Sequence, residues 1–292
     1  MKIRRTDLAL EARELWQESA GRTTRLKGVQ AHEGERLGVP VTVVRVLDEA
    51  GAAALGKPVG TYVTVESDGL ADRAEGIFRR LTEAVAEELR GLLPPMEGGD
   101  TVLVVGLGNR AMTPDSVGPL AHRNLLVTRH LVTGMPEQFS GFRPVASLAA
   151  EVLASTGVES GELAAAVCEK IRPACVIAVD ALASRSVRRL CRTIQLSDTG
   201  IVPGSGVGNH RRGLTRESLG VPVLALGVPT VVDGATLAAD LTGRETQEGR
   251  DLFVTPRDID SRVADLGRLL GWAITLALQP GLDWEDLELL LG

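Results

Sequence analysis

The chain has 292 residues, of which 44% are hydrophobic and 24% charged, so it can bury a core, and this composition argues against extended disorder. Aromatic residues make up only 3%, which argues against nucleic-acid modules that stack bases on aromatic platforms. Thirty-eight acidic and 32 basic residues leave a formal net charge of −6, which argues against a general phosphate-binding surface.

The sequence indicates a protein of a reducing compartment with no membrane partner. No apolar stretch follows the charged first residues, so we expect no secretory signal. The longest apolar runs, 221–232 and 269–278, are shorter than the ~18 residues that a bilayer span needs. The three cysteines, Cys168, Cys175 and Cys191, fit no C-x-x-C pattern and are predicted to be buried thiols. We therefore expect a cytoplasmic location.

The first hundred residues carry both helical and strand patterns. Apolar residues between 8 and 16 predict a short amphipathic helix. Two β-branched runs, 41–47 and 62–65, predict strands that form a small antiparallel addition around 40–66. Large apolar residues then recur every four positions over 77–89, which predicts a longer amphipathic helix.

Beyond residue 100 the pattern is that of an α/β domain. Four short runs are apolar on both faces: 101–105, 175–179, 193–196 and 221–226. Helical patterns follow at 162–170, 184–190, 235–241 and, as a long closing helix, Ile259–Leu278. Strands that are apolar on both faces need cover on both sides, as in a parallel sheet. We predict a single three-layer α/β domain with a mostly parallel central sheet, phosphorylase/hydrolase-like in type.

Asp115 follows the first of these predicted strands. The strand ends in Gly106-Leu107-Gly108, at the carboxyl edge where open α/β sheets bind ligands, but the third glycine of the dinucleotide fingerprint is absent. The next motif, Thr113-Pro114-Asp115, fits a helix start with Thr113 as N-cap. Asp115 is therefore either a first-turn acid that favours the helix dipole or a catalytic group.

Asp180 ends the second predicted strand, in the run VIAVDAL. Burying a carboxylate there is costly unless something compensates it. Asp180 either caps the next predicted helix or pairs with Arg185 or Arg188, or it takes part in chemistry. Because Asp115 and Asp180 both follow central strands, both can reach one crevice, where two carboxylates can share a proton and polarise a water molecule.

Other motifs point to no further chemistry. Asp198-Thr199-Gly200 spells the tripeptide of pepsin-like proteases, but those are all-β enzymes, and we interpret Asp198 as a turn or crevice-wall residue. The glycine-rich stretch 204–209 could cradle an anion but lacks the lysine that closes a Walker loop. The four histidines have no H-E-x-x-H spacing, and Ser205 forms no recognisable nucleophile motif. We predict no metal and no cofactor.

Long segments of the chain resemble the germination protease (GPR endopeptidase, spore protease) of spore-forming bacteria. They are RTDLALEA (5–12), LGKPVGTYVTVE (55–66), VVGLGN and TPDSVGPLA (within 104–121), VTRHL (127–131), FRPVASLA (142–149), VIAVDALASRS (176–186), TIQLSDTGIVPGSGVGNHRR (193–212), LGVPVLALGVPTVVD (219–233) and LFVTPRDID (252–260). These segments cover most of the chain, and their motifs are long and idiosyncratic.

The resemblance implies an endopeptidase that degrades small acid-soluble spore proteins during germination, in the forespore or spore core. It implies an atypical aspartic protease without metal, cofactor or nucleophilic serine or cysteine, whose two essential aspartates map onto Asp115 and Asp180. Asp198 is not carried over as catalytic. Members of the family are homotetramers, which we expect here as well.

The resemblance also implies a zymogen that removes a short N-terminal propeptide. The matching stretch predicts cleavage between Asp7 and Leu8, with residues 1–7 as propeptide and 8–292 as the protease domain. The alternative is that these residues simply lead into the first helix. Cleavage next to Asp or Glu implies a cationic group in the specificity pocket. The candidates are Arg110, Arg143, Arg185 and Arg211.

Two competing functions stay open at this point. One is a metal-associated maturation endopeptidase, similar to the hydrogenase-maturation proteases, which also place an acid after a strand and a Gly-x-Gly-Asn turn. The other is a catalytically silent chaperone or storage-protein binder on the same scaffold, which retention of both aspartates disfavours.

Overall fold

The structure is a computed structural model, and it describes residues 6–20, 26–71, 74–202, 212–244 and 246–292. Its strands, in chain order, are β1 (Val29–Arg36), β2 (Val39–Val46), β3 (Gly60–Glu66), β4 (Val102–Leu107), β5 (Val145–Ala150), β6 (Cys175–Ala183), β7 (Thr193–Ser197), β8 (Val223–Asp233) and β9 (Phe253–Val254). They form one sheet in the order β1-β2-β3-β7-β8-β6-β4-β5, with β9 paired to β8. The molecule is therefore organised around a single mixed sheet.

Helices cover both faces of this sheet. In the described residues they are α1 (Ala9–Ala20), α2 (Glu49–Leu55), α3 (Asp68–Ala71), α4 (Ile77–Leu92), α5 (Val117–Arg123), α6 (Arg129–Gly134), α7 (Leu153–Thr156), α8 (Ser160–Ile171), α9 (Arg216–Leu219), α10 (Gly234–Thr242), α11 (Ile259–Leu278) and α12 (Trp284–Leu291). Two 3₁₀ turns lie at Thr113–Asp115 and Val187–Arg189. The predicted α/β class, with a layer of helices on each side, is confirmed.

The prediction of a mostly parallel sheet was wrong for five of the nine strands in the described residues. Only β5, β4, β6 and β8 run parallel to one another, and β7 is antiparallel to both β8 and β3. The chain passes from β6 to β7 through 184–192, where the predicted helix is only a 3₁₀ turn. A parallel return needs a crossover of about a dozen residues or more, so this short connection forces β7 to run the other way.

The antiparallel addition around 40–66 is present as β2 and β3, and it is larger than predicted. An additional strand, β1, pairs with β2 at the edge of the sheet. Its sequence, VQAHEGER, is polar, and its side chains are almost all exposed, so it carries no apolar alternation that could reveal a strand.

Two apolar clusters lie on opposite faces of the sheet. The larger holds Ile177 and Val179 of β6 and packs against α4, α5 and α11. The smaller holds Val176 and Ala178 of the same strand and packs against α8. Because neighbouring residues of a strand point to opposite faces, this alternation also fixes the direction of every other side chain of β6.

The C-terminal helix covers the larger cluster. Trp284 is buried, and its ring centroid lies 5.3 Å from that of Trp272 and 6.1 Å from that of Phe78. Leu287 is fully buried one turn later, whereas Leu289 is exposed. No helix in the described residues is long and apolar enough to cross a membrane.

The three cysteines are buried free thiols, as predicted. Burial raises the pKa of Cys175 and of Cys191 to about 12, and it raises the pKa of Cys168 above its usual value. A thiol is nucleophilic only as the thiolate, so these side chains are protonated and inert in the folded protein.

We therefore predict that iodoacetamide does not modify the folded protein at pH 8. A thiol with a pKa of 12 is ionised in about one molecule in ten thousand at this pH, and burial also blocks the reagent. Intact-mass spectrometry should show no adduct on the native chain and three adducts when the same reaction is run in denaturant. Modification at equal rates in both conditions would contradict the buried assignment.

A second prediction concerns Gly118, the second residue of α5. A Cβ at this position would overlap the carbonyl oxygens of both Leu107 and Val179, so the start of α5 can lie against β4 and β6 only because residue 118 has no side chain. Gly118→Ala should lower the free energy of unfolding by about 1–3 kcal/mol, because backbone must shift to relieve the overlap.

The matched control is Gly91→Ala, near the end of α4, where an added Cβ meets nothing within 4 Å. This substitution should leave stability unchanged or raise it by about 0.5–1 kcal/mol, because alanine is the better helix former. Urea unfolding followed by circular dichroism measures both. Equal effects of the two substitutions would show that the close approach at Gly118 is not tight.

Candidate active site

The segment after β4 folds back on itself and places Asp115 beside the end of that strand. The backbone N–H of Asn109 donates to Asp115 Oδ2 at 2.9 Å and lies 3.0 Å from the Asp115 carbonyl oxygen. Gly108, with φ of 115°, lies so close to Asp115 that a Cβ there would overlap the Asp115 carbonyl. Main-chain contacts thus position this carboxylate beside the end of β4.

The predicted helix start at Thr113 was wrong. Thr113-Pro114-Asp115 forms a 3₁₀ turn, and α5 begins two residues later, at Val117. The Thr113 hydroxyl donates instead to Asp260 Oδ1 in the first turn of α11, at 2.8 Å. The tripeptide therefore ties the loop after β4 to α11 and does not cap a helix.

Asp180 lies inside β6 and not at its end, because the strand continues to Ala183. Its side chain is 5% exposed, and Oδ1 accepts a hydrogen bond from the Ala181 N–H at 2.9 Å. By the alternation along β6, Asp180 projects from the face that Val176 and Ala178 share. A carboxylate in this central strand is therefore largely withdrawn from water.

The two predicted aspartates belong to segments that lie against each other. Cα atoms of the Thr113–Asp115 turn lie within 8 Å of Cα atoms in β6 and in β8. The backbone of Gly118, three residues beyond Asp115, lies against the carbonyl of Val179, the residue before Asp180. The segment that holds Asp115 therefore packs against β6, the strand that holds Asp180.

The predicted cleavage site, Asp7–Leu8, is docked on the same strand as Asp180. The Asp7 N–H donates to the Ala183 carbonyl at 3.1 Å, and the Ala183 N–H donates to Asp7 Oδ2 at 2.9 Å. Leu8 and Ala9, which follow, are fully buried. The N-terminal segment therefore continues the hydrogen bonding of β6 beyond the end of β4.

Two side chains that sequence reasoning missed contact the carbonyl oxygen of Asp7. Lys57 Nζ lies 2.8 Å from it and 3.3 Å from the carbonyl oxygen of Thr6. Gln195 Nε2 lies 3.1 Å from it, and Gln195 Oε1 accepts from the Ala9 N–H at 2.7 Å. Burial lowers the pKa of Lys57, whereas the negative charges of Asp7 and Glu11 act in the opposite direction.

Glu11, also missed, anchors α1 to the connection after β6. Its side chain is 1% exposed and accepts hydrogen bonds from the Thr6 hydroxyl and from the N–H groups of Arg185 and Ser186, at 2.5, 2.7 and 3.1 Å. The Arg189 guanidinium lies 3.5 Å away. Burial raises the pKa of Glu11, and these hydrogen bonds and Arg189 oppose that rise.

The four arginines proposed for the specificity pocket lie in different parts of the chain. Arg143 donates to the main-chain carbonyls of Glu97 and Asp100, and Arg110 is exposed. Arg185 follows β6 and lies two residues from Ala183, whereas Arg211 and the glycine-rich stretch 204–209 lie outside the described residues.

The remaining polar candidates serve other contacts. Asp198 is exposed and accepts a hydrogen bond from the Thr61 N–H of β3 at 2.7 Å. His122 Nδ1 lies 2.6 Å from the Ser147 hydroxyl, and burial lowers the pKa of this histidine. Within the ranges that the structure describes, no three His, Cys, Asp or Glu side chains are grouped so that they could hold a metal ion.

Comparison with known proteins gives one consistent result. The family profile described as "Germination protease" matches residues 9–243. The germination protease of Caldanaerobacter subterraneus subsp. tengcongensis is 41% identical, over 98% of this chain and 98% of that protein. That of Clostridium perfringens is 41% identical over 99% of each, and that of Bacillus cereus is 44% identical over 84% of this chain and 69% of that protein. The chain therefore belongs to the germination protease family and is a peptidase.

Proposed function

We propose that this germination protease is an aspartic-type endopeptidase in which Asp115 and Asp180 together activate a water molecule. The observation that carries the proposal is the packing of the Thr113–Asp115 turn against β6, the strand that holds Asp180. The docking of the Asp7–Leu8 bond at Ala183, on that same strand, supports it further. The N-terminal segment and the turn that ends in Asp115 thus both lie against the strand that carries the buried Asp180.

In the proposed reaction one aspartate is ionised and the other is protonated. Two carboxylates close together do not both ionise easily, so the proposed pair would share one proton. The ionised aspartate takes a proton from water as the water oxygen attacks the scissile carbonyl carbon. The protonated aspartate then gives its proton to the leaving amine nitrogen. A pH–rate profile reports this pair as a unit, because the two carboxyl groups titrate together.

The substrates we propose are small acid-soluble spore proteins, cleaved next to acidic residues during germination in the spore core. We further propose that the enzyme acts as a homotetramer and is made as a zymogen with residues 1–7 as propeptide and 8–292 as the protease domain. The family membership supports this assignment. The docking of Asp7 supports an acidic residue on the amino side of the cut, since its carboxylate accepts the Ala183 N–H.

Replacing either aspartate by asparagine should abolish turnover without unfolding the protein. Asparagine keeps an oxygen that can accept the Asn109 N–H at position 115, or the Ala181 N–H at position 180, so the local hydrogen bonds survive. It can neither accept nor give the proton, so cleavage should fall by about 10²–10⁴-fold or more. The assay follows degradation of a small acid-soluble spore protein by mass spectrometry, with circular dichroism to verify folding.

The matched control is Asp198→Asn, which changes an exposed aspartate in the pepsin-like tripeptide and should keep wild-type activity.

The activity of the wild-type enzyme should also survive chelation by EDTA. Loss of activity in EDTA would favour the metal-associated class of maturation endopeptidase. An active Asp180→Asn variant would refute the paired-aspartate mechanism.

The second prediction of this proposal concerns the zymogen. The purified full-length chain, incubated until it has cleaved itself, should yield a product whose N-terminal sequence is Leu8-Ala9-Leu10-Glu11. The Asp180→Asn chain should remain at full length under the same conditions. A mature enzyme that begins at any other residue would exclude Asp7–Leu8 as the processing site.

A further inference from the structure

Two donors from distant parts of the chain converge on one carbonyl oxygen. The ammonium of Lys57, in the turn between α2 and β3, lies 2.8 Å from the Asp7 carbonyl oxygen. The side-chain amide of Gln195, on β7, lies 3.1 Å from the same atom. Donors that stabilise an oxyanion lie about 2.7 to 3.1 Å from the position where it forms, and these two donors already lie at such distances from the carbonyl oxygen of the intact bond.

We propose that Lys57 and Gln195 form the oxyanion hole of this protease and are, with the aspartate pair, its further catalytic residues. This inference rests on the proposed function, because it takes Asp7–Leu8 as a bond that the enzyme cuts. Both side chains contact the carbonyl of that bond directly, so they act on the reacting atoms.

Gln195 holds the main chain on both sides of the bond. Its Oε1 accepts from the Ala9 N–H at 2.7 Å, and an N–H can be accepted only by the amide oxygen. This contact fixes the orientation of the amide and directs its NH₂ group at the Asp7 carbonyl. Gln195 is only 9% exposed, so little water competes for these two hydrogen bonds.

Sheet register places Gln195 beside the buried aspartate. Asp180 of β6 and Gln195 of β7 both pair with Gly227 of the intervening strand β8. Residues in one such row project from the same face of a sheet, so Asp180 and Gln195 share a face with one strand between them. Their flanking residues agree with this: Val179 and Ile194 belong to the larger apolar cluster on the opposite face. A chain held by Gln195 is therefore presented to the face that carries Asp180.

The charge of Lys57 suits an oxygen that becomes negative. The Lys57 ammonium is partly withdrawn from water, which lowers its pKa, and it lies among main-chain oxygens near the carboxylates of Asp7 and Glu11. A cation that water solvates poorly gains more from a new negative charge at 2.8 Å than an exposed cation would. The electrostatic stabilisation by Lys57 is small for the neutral carbonyl and large for the oxyanion. An interaction that is stronger in the transition state than in the bound substrate accelerates the reaction.

The step balances with the groups named. The water oxygen bonds to the Asp7 carbonyl carbon while one aspartate takes a proton from it, and the carbonyl π electrons move to the oxygen between Lys57 and Gln195. Collapse restores the double bond and breaks the C–N bond to Leu8, whose nitrogen receives the proton of the other aspartate. Because two donors occupy the carbonyl oxygen, the protonated aspartate is reserved for the leaving nitrogen.

Self-cleavage of the full chain tests the proposal, with loss of residues 1–7 followed by mass spectrometry. Gln195→Glu keeps an acceptor for the Ala9 N–H but removes the donor to Asp7, and Lys57→Met keeps side-chain length but removes the cation. Each should slow cleavage by about 10²–10³-fold, as loss of one oxyanion donor does in other proteases. Lys57→Arg should recover part of the rate.

The matched controls are Lys27→Met and Gln30→Glu, at exposed positions near and on β1, and both should cleave at the wild-type rate. Hydrogen exchange at the amides of Leu8, Ala9 and Ala183 reports whether the segment stays docked in each uncleaved variant. Slow cleavage with these amides still protected supports catalytic donors. A wild-type rate in either test variant, or slow cleavage with protection lost, overturns the proposal.

Failure of this inference differs from failure of the proposed function. Normal cleavage at Asp7–Leu8 in the Lys57→Met and Gln195→Glu chains would refute the oxyanion hole and leave the aspartate pair standing. Wild-type cleavage at another bond, or cleavage by the Asp180→Asn chain, would refute the proposed site or mechanism itself.

Discussion

The hydrogen bonding of β6 is the constraint on which the rest of the site depends. This strand is paired on both sides, with β4 and β8, over the stretch that leads to Asp180. β4 ends at Leu107, and its chain turns back to place Asp115 beside the strand edge. The N–H and carbonyl of Ala183 are then taken by Asp7. One strand thus sets the positions of a buried carboxylate and of the peptide docked near it.

Buried main-chain groups must find partners, and this requirement explains why the N-terminal segment docks where it does. The irregular connection after β6 presents the N–H groups of Arg185 and Ser186, and Glu11 accepts both. Removing that carboxylate would leave two donors inside the protein without a partner, at about 1–3 kcal/mol each. Glu11 therefore fixes the start of α1, and the position of α1 fixes the short segment from Thr6 to Ala9 that precedes it.

The elements that sequence predicted well are those whose pattern is local. The helices Ile77–Leu92 and Ile259–Leu278 repeat apolar residues along one face, and their observed bounds lie close to or at the predicted ones. The direction of β7 could not be found in this way, because a short apolar run reads the same in either orientation. β1 was missed because its side chains face water on both sides.

Local sequence also separates the candidate site residues that could be predicted from those that could not. Asp115 and Asp180 could be selected as candidates because a carboxylate after an apolar strand is unusual wherever it occurs. Lys57 and Gln195 could not, because a lysine in a turn and a glutamine in a strand are ordinary in their local sequence. Their contacts with the N-terminal segment cross 50 and 188 positions of the chain and exist only after the sheet has assembled. A family resemblance points to the segments that hold them but not to the atoms they contact.

Cleavage at Asp7–Leu8 would also change the electrostatics of the place where it occurs. The peptide bond is neutral, whereas its products are a carboxylate and an amino group that is mostly charged near neutral pH. Leu8 is fully buried, and its N–H has the Thr6 hydroxyl as a neighbour at 3.0 Å. A buried ammonium is unfavourable unless a carboxylate pairs with it, and the Thr6 hydroxyl itself donates to the carboxylate of Glu11. The new N-terminus must therefore move toward water or pair with a carboxylate, whereas the hydrogen bonds with Ala183 belong to Asp7, on the other side of the cut. The new Asp7 carboxylate would lie beside the Lys57 ammonium, so this charge pair must break before residues 1–7 leave the site.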